Sequence, residues 1–255
     1  MTSRKQDSVV RTDIRQQPVF TLVDAFEETI AYTRSFNLPF NMVAICTEED
    51  PDSPSEIWLP ERDKHMYFRK NGIYFTTCNT PIRLRYTRAN THLAIHFQYE
   101  ILPGIDLFYG IRNRFHFMDP GLAGEVRKSF AEPDPVIRLA RCQQIALQVA
   151  MRFPPEKSPL DFRNVKIFEE LLYFVRNKVD AQVNVQRLSA RMGWSEGYFH
   201  RRFSDAFRMT PKDFLERALF AKAARLLADP EMNVKQAAAE LAFSSQYNFS
   251  RFFKR

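Results

Sequence analysis

The chain has 255 residues, 45% hydrophobic and 26% charged, a balance that suits one large or two ordinary domains with a real core. Of 37 Lys+Arg and 30 Asp+Glu, 17 and 11 lie from Leu160 onward, leaving 20 against 19 before it. Nearly all of the +7 charge therefore sits in the C-terminal part, which points to a polyanion partner there. No apolar run approaches the ~18 residues of a membrane span, and the polar start MTSRKQDS does not read as a signal peptide. Cys46, Cys78 and Cys142 fit neither a disulfide framework nor a zinc site, so no cofactor, no membrane partner and a cytoplasmic location are expected.

Residues 1 to about 20 are polar, and the run from Val19 to Phe36 is compatible with helix or strand. From Phe40 the texture becomes that of short strands: FNMVAIC, EIWL, HMYFR, GIYFTTC, IRLRY and THLAIHFQY. Turn signals at Asp50-Pro51, Asp52 to Ser55, Asn71-Gly72 and Asn79-Thr80-Pro81 separate them, a spacing that predicts a sandwich or barrel. Alternation puts Ile82, Leu84 and Tyr86 opposite Arg83 and Arg85, and His92, Ala94, His96 and Gln98 opposite Leu93, Ile95 and Phe97.

His92 and His96 share a face but stand roughly 13 Å apart along a strand, too far to hold one metal ion, so no metal site is expected. A small polar ligand fits the composition better. Aromatic faces for stacking, with Arg and His converging from neighbouring strands, make Trp58, His65, Tyr67, Tyr74, Arg83 and His96 the candidate ligand-binding residues.

After Pro103-Gly104 the chain runs through LFYGIRNRFHFMDP into helical sequence. Ile137, Leu139, Ala140, Ile145, Leu147 and Val149 form an apolar stripe between Val136 and Arg152, suited to packing on the barrel or on a second subunit. Prolines in FPPEKSP mark a linker at 156–161 between domains at 1–155 and 162–255, and FRNVKIFEELLYFVRNKV opens the second domain with Val165, Phe168, Leu172 and Val175 inward.

The C-terminal stretch then states one pattern twice. Asn184 caps a helix ending before Gly193, and Ser195 caps a second on which Phe199, Phe203 and Phe207 recur every four residues. Thr210-Pro211 starts a long connector, PKDFLERALFAKAARLLADP. Asn233 opens the second copy, with Val234, Ala237, Ala238 and Leu241 inward, a turn at Ala242-Phe243, and a last helix burying Phe249, Phe252 and Phe253. The outward sets, His200 and Arg201 in one copy and Gln246, Tyr247, Ser250 and Arg251 in the other, carry the donors and acceptors that base edges require.

The segments LSARMGWSEGYFHRRF, MTPKDFL and AFSSQYNFSRFFKR resemble the AraC/XylS-type transcription regulators, over roughly Phe162 to Arg255. Position by position, the resemblance implies that His200 and Arg201, then Gln246, Tyr247, Ser250 and Arg251, meet DNA. Arg208, Leu219 and Ala242 stand where that family commonly has Gly, Arg and Gly. Its members continue beyond the last recognition helix, so the second unit reads as shortened at its C-terminal end. The strand-rich part resembles, more weakly, the family's cupin-like sensor, although Ile82 stands where a His is common in cupins.

The implied fold class is α+β: a cupin-like β-barrel with flanking helices, then an all-α domain of two helix-turn-helix units on a long helix. The implied function is a ligand-responsive DNA-binding regulator sensing a sugar or related molecule. Double-stranded DNA, that effector, a second copy of the chain and RNA polymerase are the partners to test. The competing readings are a cupin-type isomerase or dioxygenase with a helical appendage, and a regulator whose barrel only dimerises.

Overall fold

The computed structural model describes residues 18–253, apart from 30, 50, 61–62, 88–90, 112, 154–165, 228 and 230. The expected linker at 156–161 and Val165 therefore lie outside the described residues.

The N-terminal part is a sandwich of two sheets and not a closed barrel. The ambiguous run from Val19 to Phe36 is strand, forming β1 (Val19–Glu28) and β2 (Tyr32–Asn37). Next come β3 (Asn41–Glu48), β4 (Glu56–Leu59), β5 (Lys64–Tyr67), β6 (Gly72–Thr76), β7 (Pro81–Tyr86), β8 (Thr91–Leu102) and β9 (Ile105–Asp106). The segment expected to lead straight into helix also contributes a strand, β10 (Arg114–Met118), whose alternation of Arg114, His116 and Met118 with Phe115 and Phe117 has period two. One sheet has the order β1-β8-β3-β6-β10, with β9 on β8, and the other the order β2-β7-β4-β5.

The larger sheet is covered on both faces, which explains the unbroken buried run Asn41 to Cys46 in β3. Val43, Ile45, Phe75, Ile95 and Phe97 pack against α1 (Pro120–Ala131) and α2 (Pro135–Arg152), whose Val126, Ile145 and Val149 are buried. Met42, Ala44, Tyr74 and Ala94 point the other way, towards Ile57, Ile82, Leu84 and Tyr86 of the smaller sheet. The stripe expected on α2 holds only in its second half. Ile137, Leu139 and Ala140, in its first half, are exposed.

A short 3-10 turn (Lys166–Phe168) leads into α3 (Glu169–Lys178), then α4 (Val185–Arg191), α5 (Glu196–Phe207), α6 (Pro211–Leu227), α7 (Val234–Glu240) and α8 (Gln246–Phe253). The caps are those expected. Asn184 accepts from Arg187 N at 2.9 Å, Ser195 from Tyr198 N at 3.4 Å, and Thr210 from Asp213 N at 3.1 Å. Asn233 and Gln236 close a reciprocal capping box. Gly193 at φ +67 ends α4 in the left-handed region, as a C-capping glycine should. Val234, expected inward, is exposed because it occupies the first position of α7.

The sandwich also grips the helical domain. Leu102 and Ile105, from the β8–β9 turn, belong to the same apolar cluster as Phe199, Phe203, Phe214 and Ala218. Gly104 makes that approach feasible: at φ +70, a Cβ there would lie 2.4 Å from the backbone nitrogen of Ala218 in α6.

Candidate DNA interface and sensor interior

Helices α4 and α5 form one helix-turn-helix and α7 and α8 the other, with α6 as the rod between them. At 17 residues, α6 is about 26 Å long. Phe199, Phe203 and Phe207 are fully buried, and Phe203 stacks on Phe207 with centroids 4.2 Å apart. That inward phase forces the opposite face of α5 out, and His200 and Arg201 are exposed. In the second unit, buried Phe249 leaves Gln246, Tyr247 and Arg251 exposed and Ser250 half-buried. Tyr247 is 73% exposed, far beyond what an apolar ring gains by remaining in water, which suits a contact surface. Arg208 at φ +55 and Ala242 at φ +53 occupy the left-handed conformation that glycine adopts without strain.

The six expected ligand residues do not converge on one site. Trp58, His65 and Arg83 form an outer-face cluster: Trp58 stacks on His65 at 5.3 Å, and the Arg83 guanidinium lies 5.9 Å from the indole. Tyr67 is exposed on the same strand as His65. Tyr74 and His96 instead lie between the sheets. The Tyr74 hydroxyl donates to Tyr67 O at 2.9 Å and accepts from Arg69 N at 2.6 Å, so both its functions are already engaged. His96 rests against Phe26 and Phe40.

Between the sheets the composition is unusually polar for a core. His92 packs on Tyr86 at 4.1 Å and Phe68 at 4.6 Å, and neither ring nitrogen has a hydrogen-bond partner among the described residues. Burial holds His92 down at about 3 and His96 at about 4, so both are neutral near pH 7. Arg114, which no sequence signal had singled out, is 2% exposed, and its three guanidinium nitrogens have no hydrogen-bond partner among the described residues. Its charge lies 5.1 Å from the ring centres of both Phe68 and Tyr74. Period two in RFHFM was the signal available for it. Among the described residues no group of three His, Cys, Asp or Glu is placed to hold a metal ion.

The two regions meet along one strand. β8 carries His92 and His96 near its start and Glu100 near its end, where Arg225 Nη1 of α6 donates to Glu100 Oε2 at 3.0 Å. Buried Asp106 secures the turn beyond, accepting from Tyr99 N, Phe108 N and Asn41 Nδ2 at 2.8 to 2.9 Å. A cleft of about 720 Å³ opens beside this contact, between Gln98, Asp106 and Tyr109 on one side and Arg217, Phe220 and Phe253 on the other.

A helix-turn-helix domain model matches residues 188–255. The regulatory protein SoxS of Escherichia coli K12 is 28% identical over 90 residues, 35% of this chain and 84% of SoxS, and SoxS of Salmonella typhimurium is 26% identical over the same shares. The crystal structure of a ligand-free ToxT variant from Vibrio cholerae strain SCE256 superposes with a TM-score of 0.55 at 10% identity over 92% of each chain. ToxT from Vibrio cholerae O395 gives 0.53 at 12% identity, again over 92% of each. The C-terminal part of the chain is a helix-turn-helix domain similar to that of AraC-type transcription regulators. The chain thus joins a strand-rich N-terminal sandwich to a helix-turn-helix domain similar to SoxS. Its N-terminal likeness to ToxT is one of fold. No helix among its described residues is long and apolar enough to cross a membrane.

Proposed function

We propose that this protein is a regulator that binds specific duplex DNA through α5 and α8 and that a small molecule held in the sandwich changes how the two helices are presented. The observation that carries the effector half is β8, which is lined by buried His92 and His96 at one end and ion-paired to α6 through Glu100 and Arg225 at the other. A ligand that prefers one position of this strand biases the helix on which both helix-turn-helix units sit. A ToxT structure holds an unsaturated fatty acid, which supports a small-molecule role for this sandwich.

His200 and Arg201, with Gln246, Tyr247, Ser250 and Arg251, are the proposed base-reading and backbone-contacting residues. The exposed Val136 and Ile137 of α2 support a second copy docking there, so that a dimer presents two DNA-binding domains. A sugar site would need Trp58, Arg83, Tyr74 and His96 in one pocket. Their division between the outer face and the interior favours a different ligand class, so sugars become one arm of the test.

Duplexes selected from a random pool would be titrated by fluorescence anisotropy across a salt series, then again with sugars and small organic acids. A steep loss of affinity with salt and a change produced by one ligand class are expected. Unchanged DNA affinity across both classes would support the reading in which the sandwich only dimerises. No binding at low salt would remove the DNA reading.

A further inference from the structure

Among the described residues, the larger and smaller sheets end in edge strands that pair with nothing further, β10 on one and β5 on the other. Between these edges the sandwich is open. A cleft of about 490 Å³ runs in there, lined by Lys64 and Met66 from β5, Arg114, Phe115 and His116 from β10, and Phe153 after α2. Arg114 is the fully buried residue of that lining.

A buried cation without a counter-charge is among the costlier arrangements in a protein, and a guanidinium stays protonated where a lysine would release its proton. The groups that act on Arg114 electrostatically are the phenols of Tyr86 and Tyr74. Neither can supply a negative charge near neutral pH. Burial raises Tyr86 well above the ordinary tyrosine range and pushes Tyr74 up to about 12, and the Tyr74 hydroxyl is already bonded to backbone at both functions. Cation–π contact with Phe68 and Tyr74 offsets part of the desolvation but leaves all five N–H donors of the fork unused. Lys64 stands exposed at the mouth beside exposed His116, whose pKa is held below its ordinary value by burial of the imidazole and by the Arg114 charge. The cleft therefore carries one cation at its mouth, Lys64, and one buried cation, Arg114, with Met66 and aromatic rings in its lining.

We propose that Arg114 is the anchor of an effector site for an organic carboxylate, whose planar head pairs with the guanidinium fork while an apolar body lies along Met66 and the His116 ring, on the same side of β10. This deepens the reading of the sandwich as a sensor and rests on it. A carboxylate matches the fork with two parallel hydrogen bonds, whereas an uncharged polyol leaves the charge uncompensated. Lys64 draws the anion to the mouth, and neutral His92 packs on the same Phe68 ring as Arg114.

The test is isothermal titration of the full chain with octanoate, benzoate, octanamide and inorganic phosphate, on the wild type, Arg114→Met, Arg114→Lys and Lys64→Ala. A carboxylate should bind the wild type while octanamide does not, and Arg114→Met should weaken binding roughly tenfold or more. Arg114→Lys retains the charge without the fork and should fall between the two, which preserves the test if the methionine variant fails to fold. Lys64→Ala, at the exposed mouth, should weaken binding less than either. Phosphate binding as well as the carboxylates would show a site for anions in general and overturn the carboxylate assignment. Absence of carboxylate binding, or equal affinity in the Arg114 variants, would overturn the site. Duplex affinity measured on the same samples separates this from the sensor reading: a carboxylate that binds through Arg114 yet leaves DNA affinity unchanged keeps the site and removes its role as effector.

Discussion

Two interiors of this molecule are built on opposite terms. The helical domain buries Phe168, Phe199, Phe203, Phe207, Phe214 and Phe249 almost completely, and its only fully buried polar residue, among those described, is Ser189, which donates to Gln186 O at 3.0 Å. Its orphaned atoms at Arg202, Ser204 and Arg217 belong to half-buried side chains. The space between the sheets buries His92, His96 and Arg114 with orphaned nitrogens. A core that only has to fold satisfies or excludes its polar groups, because each unpaired one costs on the order of 1–3 kcal/mol. A core that keeps several unpaired bears that cost, and the proposed effector would supply the missing partner. On the proposed reading, the difference separates the part of the chain that holds a shape from the part that binds an effector.

The largest effect should come from the satisfied core. Phe203→Ala removes a ring that stacks on Phe207 and packs on Phe214 at 5.2 Å, and should lower stability by about 3–5 kcal/mol. An unchanged melting temperature would mean that α5 does not bury this face. The unsatisfied interior should instead be exposed by acid. His92 and His96 have folded pKa values near 3 and 4, below the ordinary 6.5, so the unfolded chain binds protons first as pH falls. Their contribution is present above about pH 6.5 and is lost down to the folded values, amounting to about 2 kcal/mol per histidine by pH 5. Urea midpoints at pH 7 and pH 5 would measure it, and His96→Phe should flatten the dependence. Midpoints insensitive to pH would place both imidazoles in contact with water.

The DNA face lies between these extremes, since its residues serve neither core. Arg201→Ala should leave the fold intact and cost about 1–3 kcal/mol on a selected site if it pairs with guanine, with relaxed preference at one position. Equal losses on every sequence would make it a phosphate contact. The smallest effect is conformational. Ala242→Gly, at φ +53, should raise stability by about 1 kcal/mol by releasing left-handed strain in the second unit. A loss on calorimetric unfolding would mean that the alanine methyl packs more than it strains.

The helical half was legible in the sequence because its signals are local. Caps lie beside the helices they start, and Phe recurring every four residues fixes the face of α5 without reference to the rest of the chain. The sandwich was legible only as texture. Alternation in IRLRY and THLAIHFQY gave the faces of two strands, but which face is interior depends on strand pairings distant in sequence, such as Trp58 with Arg83. Trp58, His65 and Arg83 therefore read as pocket residues while lying on the outer face. Arg114 escaped for a related reason. RFHFM is short and sits between a turn and a helix, and nothing within it reveals that the arginine side faces the smaller sheet.

Long-range pairing also made the coupling strand visible only in three dimensions, and that strand carries the central claim. The most direct test is the affinity for a selected duplex with and without saturating octanoate, in the wild type and in Glu100→Gln, which removes the charge facing Arg225 and leaves the Arg114 cleft untouched. The account predicts that octanoate shifts duplex affinity in the wild type, and that the shift shrinks in Glu100→Gln while octanoate still binds. An identical shift in both proteins would contradict transmission through β8 and α6, and no shift in the wild type would contradict the sensor itself.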